Sequence, residues 1–147
     1  MRIYFDSCAL NRLTDAPSQL RIRLEAEAVE KIFRMVWKGR MKWVASQANE
    51  IEIRRNPSEQ MRRDGLKLLS FANEQIESNV ATRIRTAELA RLGYGLFDAF
   101  HLACAEQGSV DVLLTTDDRF IGKAERQIGT PGVPLKNPVD WAKRIVP

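Results

Sequence analysis

The chain has 147 residues, 44% of them hydrophobic and 29% charged, with a formal net charge of +4. Such a composition is typical of one folded domain with a real core, and it argues against a disordered chain. No apolar run approaches the roughly 18–20 residues that span a bilayer, and the start MRIYFDSCAL lacks a signal-peptide profile. We therefore expect a cytoplasmic protein without a membrane partner.

The first half of the chain alternates β-prone runs with helical patterns. Short strands are predicted at residues 2–5, which stop at Asp6, and at residues 43–46. Helices are predicted at 18–38, 47–55 and 59–72, with Ser58 as the cap of the third. The second of these must end near Asn56-Pro57, because a residue before proline disfavours the helical region.

The second half continues the alternation around one helix that is apolar on almost every side, at residues 96–105. Such a helix is normally central and buried. Other helices are predicted at 80–92, 118–127 and 138–145, and strands at 110–114 and 133–135.

This alternation predicts an α/β protein with a three-layer α/β/α architecture, formed by one domain over residues 1–147. The central sheet is expected to be mostly parallel, with about four to five short strands. Right-handed connections place the carboxyl ends of parallel strands along one edge, and open α/β sheets build their sites there.

Acidic residues fall at the expected site. Asp6 and Asp117 each end a predicted strand, and Asp98 lies near the start of the apolar helix. A lone carboxylate among apolar neighbours costs several kcal/mol unless it is paired, protonated or bound to a metal. The helix after the second strand offers a fourth acid, Glu50 or Glu52, of which only one is expected to point inward.

The types of side chain available narrow the choice of metal. Cys8 and Cys104 form no CxxC pair and His101 is the only histidine, which argues against a zinc site. The two cysteines are expected to be free, buried thiols in a reducing cytosol. Oxygen ligands alone favour Mg²⁺ or Mn²⁺, which can activate water for attack on a phosphodiester. The basic charge, mostly arginine, is compatible with a nucleic-acid substrate.

At these residues the sequence resembles the PIN-domain nucleases, and most of all the VapC-type toxins of bacterial toxin–antitoxin pairs. The first strand and its acid match in Ile3-Tyr4-Phe5-Asp6-Ser7, and the central Asp-Ala signature matches at Asp98-Ala99. The later Thr-x-Asp-x-x-Phe motif matches at residues 115–120, and Glu52 follows Ser46 at the spacing of the family. The pattern covers residues 2 to about 121, most of the chain.

This resemblance implies a Mg²⁺- or Mn²⁺-dependent endoribonuclease that hydrolyses RNA phosphodiester bonds. It assigns catalysis and metal binding to Asp6, Glu52, Asp98 and Asp117, and a supporting hydrogen-bond network to Ser7 and Thr115. It also implies a homodimer and a small antitoxin whose tail enters the groove. The helix at 18–38 and residues 53–57 lie outside the family signature, so the resemblance does not identify the RNA target.

Other interpretations of the same residues remain open. Asp6 could instead cap the loop after its strand, Asp98 could be a helix N-cap, and Asp117 could cap the helix that follows it. The chain could be an inactive PIN-fold binding module, or another metal-dependent phosphohydrolase. The Asp-x-Asp motif of haloacid-dehalogenase-like phosphatases is missing, because Asp6 is followed by Ser7-Cys8.

Further residues have a structural and a functional interpretation. His101 lies one turn from Asp98 and could pair with it or touch substrate, but we expect a satisfied core histidine. Arg54-Arg55 and Arg62-Arg63 are suited equally to RNA phosphates and to solvated faces. Packing is the expected role of three tryptophans, Trp37, Trp43 and Trp141.

Overall fold

The structure, a computed structural model, describes residues 1–145, so the last two residues of the predicted domain 1–147 lie outside it. Five parallel strands form one sheet in the order β3-β2-β1-β4-β5. The strands are β1 (Arg2–Phe5), β2 (Lys42–Ser46), β3 (Glu74–Ile76), β4 (Val112–Leu114) and β5 (Leu135–Lys136). The predicted α/β class with a parallel sheet is confirmed.

Eight helices connect and flank these strands within residues 1–145. They are α1 (Ser7–Asn11), α2 (Leu20–Trp37), α3 (Gln47–Arg54), α4 (Glu59–Leu69), α5 (Val80–Arg91), α6 (Leu96–Gln107), α7 (Asp118–Glu125) and α8 (Pro138–Ile145). Within this range, no helix is both long enough and apolar enough to span a bilayer.

The two faces of the sheet bury separate cores, because side chains alternate along each strand. Ile3 and Phe5 of β1 point into a core shared with α2, α4 and α8. Tyr4, between them, points into a second core shared with α5, α6 and α7. This arrangement gives the three predicted layers.

The register of the central strands brings several polar residues to one level. Phe5 of β1 pairs with Leu114 of β4, and Tyr4 pairs with Val44 of β2. Asp6 and Thr115, which follow that first pair, therefore leave the sheet side by side. The Asp6 backbone N–H donates to the carbonyl of Leu114 at 3.1 Å, which fixes this junction.

Two elements were not predicted, and both are short. The edge strand β3 has three half-buried or exposed residues, Glu74–Ile76, so its sequence lacks a hydrophobic alternation. Helix α1 has five residues and follows Asp6 directly, where a polar turn was expected. Helix α2 begins at Leu20 rather than 18, because Ser18 closes a turn by donating its N–H to the carbonyl of Ala16.

The predictions for cysteine and tryptophan are corrected at two positions. Cys8 is exposed on α1, whereas Cys104 is buried as expected, and both thiols are free. Trp43 and Trp141 are buried. The side chain of Trp37 is 62% exposed and packs only one face, against Phe33, at a ring-centroid distance of 5.4 Å.

The predicted cap of α4 is confirmed, since the hydroxyl of Ser58 accepts a hydrogen bond from the N–H of Met61 at 3.2 Å. We expect Ser58→Ala to lower the free energy of unfolding by about 1 kcal/mol, because a helix N–H loses its acceptor. Urea denaturation measures this change. The control is Ser18→Ala, whose exposed hydroxyl makes no hydrogen bond in the described chain, and an equal loss there would contradict the assignment.

Candidate active site

Asp6 follows β1 and is the N-cap of a helix, α1, where the sequence suggested the cap of a loop. Its Oδ1 accepts a hydrogen bond from the N–H of Ala9 at 2.9 Å. Its Oδ2 is buried and has no hydrogen-bond partner in the described part of the chain. Burial raises the pKa of Asp6 to about 6, against the opposing effect of His101. One carboxylate oxygen therefore caps α1, and the other makes no hydrogen bond within the described residues.

Asp98 lies in the first turn of α6, where it is half-buried. The N-cap of this helix is Gly95, not Asp98, and no residue in 1–145 donates a hydrogen bond to the Asp98 carboxylate. Burial, together with the charges of Asp6 and Asp117, raises the pKa of Asp98 to about 6. These acids therefore repel one another across the edge of the sheet.

Asp117 caps α7, with its Oδ1 accepting hydrogen bonds from the N–H groups of Arg119 at 2.9 Å and Phe120 at 3.3 Å. The hydroxyl of Thr115 accepts from the backbone N–H of Asp117 at 3.1 Å and fixes this turn. The neighbouring Asp118 points to solvent and pairs with Arg21 at 2.8 Å. Asp117 is thus a cap whose charge also acts on the acids of the cluster.

The two candidate acids of α3 face different directions. Glu52 accepts a hydrogen bond from Nε2 of His101 at 2.9 Å, and its charge raises the pKa of Asp6 and Asp98. Burial opposes ionisation of Glu52, but His101, with smaller contributions from Ser7 and Arg55, lowers the pKa of Glu52 overall. Glu50 pairs instead with Arg54 at 3.0 Å on an exposed face. Glu52 is therefore the acid that lies toward the others.

His101 is a buried, hydrogen-bonded histidine, as expected, but its carboxylate partner is Glu52 rather than Asp98. On its other side, Nδ1 lies 2.6 Å from the hydroxyl of Tyr4, which lies 2.6 Å from the hydroxyl of Ser46. No functional role was predicted for Tyr4. A tyrosine inside a buried strand needs a partner for its hydroxyl, and this requirement was the available signal.

The pKa of the Cys8 thiol is raised by burial and by the charges of all four acids. Partial burial of the Cys8 thiol and the charges of all four acids together raise its pKa to about 12, although the residue reaches solvent. The acids that act on it are Asp6, Glu52, Asp98 and Asp117. The predicted site residues therefore share one electrostatic environment at the carboxyl edge of the sheet.

The donors of this cluster suit a hydrated hard cation. Besides Asp6 Oδ2, the hydroxyl of Ser7 is buried without a hydrogen-bond partner in the described residues. Across residues 1–145, no three Asp, Glu, His or Cys side chains lie close enough together to hold an ion as they stand. Mg²⁺ typically takes only one or two carboxylates and keeps several waters, so binding of this ion would not require three of these side chains in contact with it.

A cavity of about 520 Å³ opens beside the cluster, between α1, α3 and α4. Ser7 and Glu52 form its border with the acids, and Leu10, Ile53 and Leu68 are among the side chains that line its interior. A recess lined by both apolar and polar side chains therefore lies next to Glu52.

The comparisons with known proteins agree with this architecture. The family model that describes the PIN domain matches residues 3–125. Among solved structures, the crystal structure of VapBC2 from Rickettsia felis, bound to a DNA fragment from their promoter, matches with a TM-score of 0.62 at 14% sequence identity. That match covers 93% of this chain and 98% of the other, and it establishes similarity of fold alone. No curated protein matches the sequence.

Proposed function

The chain belongs to the PIN domain family, whose members are generally nucleases, and we propose that it is a Mg²⁺- or Mn²⁺-dependent endoribonuclease of the cytoplasm. The observation that carries the proposal is the buried, unpartnered Oδ2 of Asp6 beside a second acid, Asp98, whose pKa is also raised to about 6. Carboxylates that repel one another in a buried site are stabilised by a shared cation.

The four acids divide into two pairs in this proposal. Asp6 and Asp98 would hold the ion, while Glu52 and Asp117 would accept hydrogen bonds from its waters. A bound Mg²⁺ supplies a water of lowered pKa and neutralises charge on the phosphate. Hydrolysis joins the water oxygen to phosphorus and breaks one ester P–O bond, and the departing oxygen takes up a proton.

Cleavage of a labelled single-stranded RNA tests this function. We expect cleavage with Mg²⁺ or Mn²⁺, none with excess EDTA, and recovery when the ion is restored. Because water is the attacking group, the products should carry no 2′,3′-cyclic phosphate. Cleavage that persists in EDTA, or that yields cyclic phosphates, would contradict the proposal; a protein without a saturable Mn²⁺ site would instead be the inactive binding module.

Of the four arginines in the two predicted pairs, Arg55 is the one that we assign to the RNA backbone. It is the C-cap of α3, is exposed, lies 5.4 Å over the ring of Phe97, and forms no ion pair within residues 1–145. Its charge lowers the pKa of Glu52, which places it near the acids. The other arginines of both predicted pairs are engaged: Arg54 with Glu50, Arg62 with the carbonyl of Asn56, and Arg63 with Glu59.

We expect Arg55→Ala to weaken RNA binding and to reduce the slope of log affinity against log salt by about 0.7, the value for one phosphate contact on a single strand. Fluorescence anisotropy in the Asp98→Asn background measures binding without cleavage. The control is Arg40→Ala, an exposed arginine without an ion pair in the described chain, which precedes β2 at the opposite edge of the sheet. Equal losses in both variants would contradict a local role for Arg55.

We also propose that the protein is the toxin of a two-gene pair, acting as a homodimer and inhibited by a small antitoxin. The VapC-like motifs and the similarity of fold to the VapBC2 structure support this proposal. A short adjacent gene for a DNA-binding protein is expected, and its product should suppress RNA cleavage at a stoichiometric ratio. A monomer by light scattering would contradict the homodimer. Full RNA cleavage with the product of the adjacent gene bound would contradict inhibition by an antitoxin.

A further inference from the structure

We propose that His101 is a positioning residue that, together with Tyr4 and Ser46, holds the carboxylate of Glu52 in place for the metal site. This proposal rests on the proposed nuclease function and adds three buried side chains to its machinery. We call the hydrogen-bonded series Ser46–Tyr4–His101–Glu52 the relay.

The direction of the hydrogen bonds in the relay follows from the chemistry of its members. An ionised Glu52 can only accept, so Nε2 of His101 donates to it over 2.9 Å. We assign a neutral imidazole with its proton on Nε2, so that Nδ1 is an acceptor and the phenol of Tyr4 donates to it over 2.6 Å. The hydroxyl of Ser46 completes the series by donating to the Tyr4 oxygen, also over 2.6 Å. Every member is satisfied in this arrangement.

The relay is buried except at one end. Tyr4 and Ser46 are 0% exposed and His101 is 1% exposed, whereas the Glu52 side chain is 32% exposed. Buried hydrogen-bond networks that are fully satisfied hold a single geometry, because a broken bond there leaves polar atoms unpaired. The only end of the relay that reaches solvent is therefore the Glu52 carboxylate, which lies toward Asp6 and Asp98.

The inner end of the relay is fixed to the sheet. Tyr4 is on β1, and Ser46 ends β2 and caps α3 by accepting from the N–H of Ala48 at 3.1 Å. Asn49 closes the capping box on the backbone N–H of Ser46 at 3.0 Å and donates its amide to the carbonyl of Phe5 at 3.0 Å. Glu52, on the next turn of α3, is thus tied to the central strands through α6 as well as through its own helix.

Loss of the relay should affect the ion rather than the RNA. We expect His101→Leu, which keeps the volume but removes both nitrogens, to weaken Mn²⁺ binding and lower kcat by about 10–100-fold, the range for groups that orient metal ligands. KM for RNA should be unchanged. His101→Gln should rescue part of the loss, because its amide can donate to Glu52, and Tyr4→Phe should reproduce part of it.

The experiment uses the full chain and has a readout that does not need activity. His101 is the sole histidine, so its imidazole ¹⁵N signals are unambiguous by NMR. We expect the Nε2–H tautomer without metal and a saturable shift of these signals during Mg²⁺ titration. Calorimetric titration with Mn²⁺ then gives the affinity of each variant, and circular dichroism shows whether each variant is folded.

A double-mutant cycle separates positioning from general stability. If His101 acts through Glu52, His101→Leu has no further effect on Mn²⁺ affinity in the Glu52→Gln background. Additive losses, an Nδ1–H tautomer, or wild-type affinity in a folded His101→Leu or Tyr4→Phe variant would overturn the proposal. Absence of Mn²⁺ binding in the wild type would overturn the nuclease function instead. The tautomer of His101 would in that case still show whether the hydrogen bonds of the relay are formed.

Discussion

Asp98→Asn is expected to reduce metal-dependent RNA cleavage by at least about 100-fold, the scale of loss when one preorganised group that stabilises a transition state is removed. The amide keeps the size of the side chain but removes the charge that would hold the cation. The same change should not destabilise the fold. Asp98 makes no hydrogen bond in residues 1–145, and it is repelled by Asp6 and Asp117. Initial rates and thermal unfolding of the same preparation measure both effects.

The matched control for this substitution is Asp140→Asn. Asp140 also lies in the first turn of a helix, α8, but it is exposed and belongs to no ion pair in the described chain. Its substitution should leave the cleavage rate unchanged. Near-wild-type cleavage by Asp98→Asn, or an equal loss in Asp140→Asn, would exclude a role for Asp98 at the site.

Without metal, the stability advantage of the Asp98→Asn variant over the wild type should grow as pH rises from about 4 to about 6. The folded state raises the pKa of Asp98 to about 6, from a usual 3.8, so between these values the folded protein binds more protons than the unfolded chain. Wild-type stability therefore falls as pH rises through this window. Allowing for the partial exposure of Asp98, the difference should be on the order of 1–2 kcal/mol above pH 6.

Comparison of the wild type with Asp98→Asn separates the contribution of Asp98 to stability from that of groups whose pKa is lowered in the folded state. The pKa of Glu52 is lowered, so its contribution to stability is present above its usual pKa and is lost as pH falls. Urea denaturation at several pH values gives the difference directly. A difference that is constant with pH, or that grows as pH falls, would contradict the electrostatic description of the cluster.

Much of the architecture was predictable because its determinants are local in sequence. The apolar run at β1, the amphipathic pattern of α2 and the apolar character of α6 each carry their own signal. Parallel strands then place Asp6 and Asp117 at the same edge. β3 and α1 were not predicted because each is too short to show a period, and their formation depends on neighbours already in place.

The candidate site was predictable in its residue types but not in its contacts. The sequence left Glu50 and Glu52 as alternatives, and the orientation of α3 against α6 brings Glu52 to His101. The exposure of Cys8 depends on α1, which was not predicted. Tyr4, Ser46 and His101 come from three separate elements, and the packing of α6 on β1 and β2 brings them together. The roles of the four acids in metal binding remain predictions.

The most direct test of the central claim, that these acids share one divalent ion, is a crystal structure with Mn²⁺ and its anomalous difference map. We predict a peak at the carboxyl edge of the sheet within coordination distance of Asp6 Oδ2 and the Asp98 carboxylate, with Glu52 and Asp117 around it. A map without a peak there at saturating Mn²⁺, or with a peak only at other carboxylates, would contradict the claim.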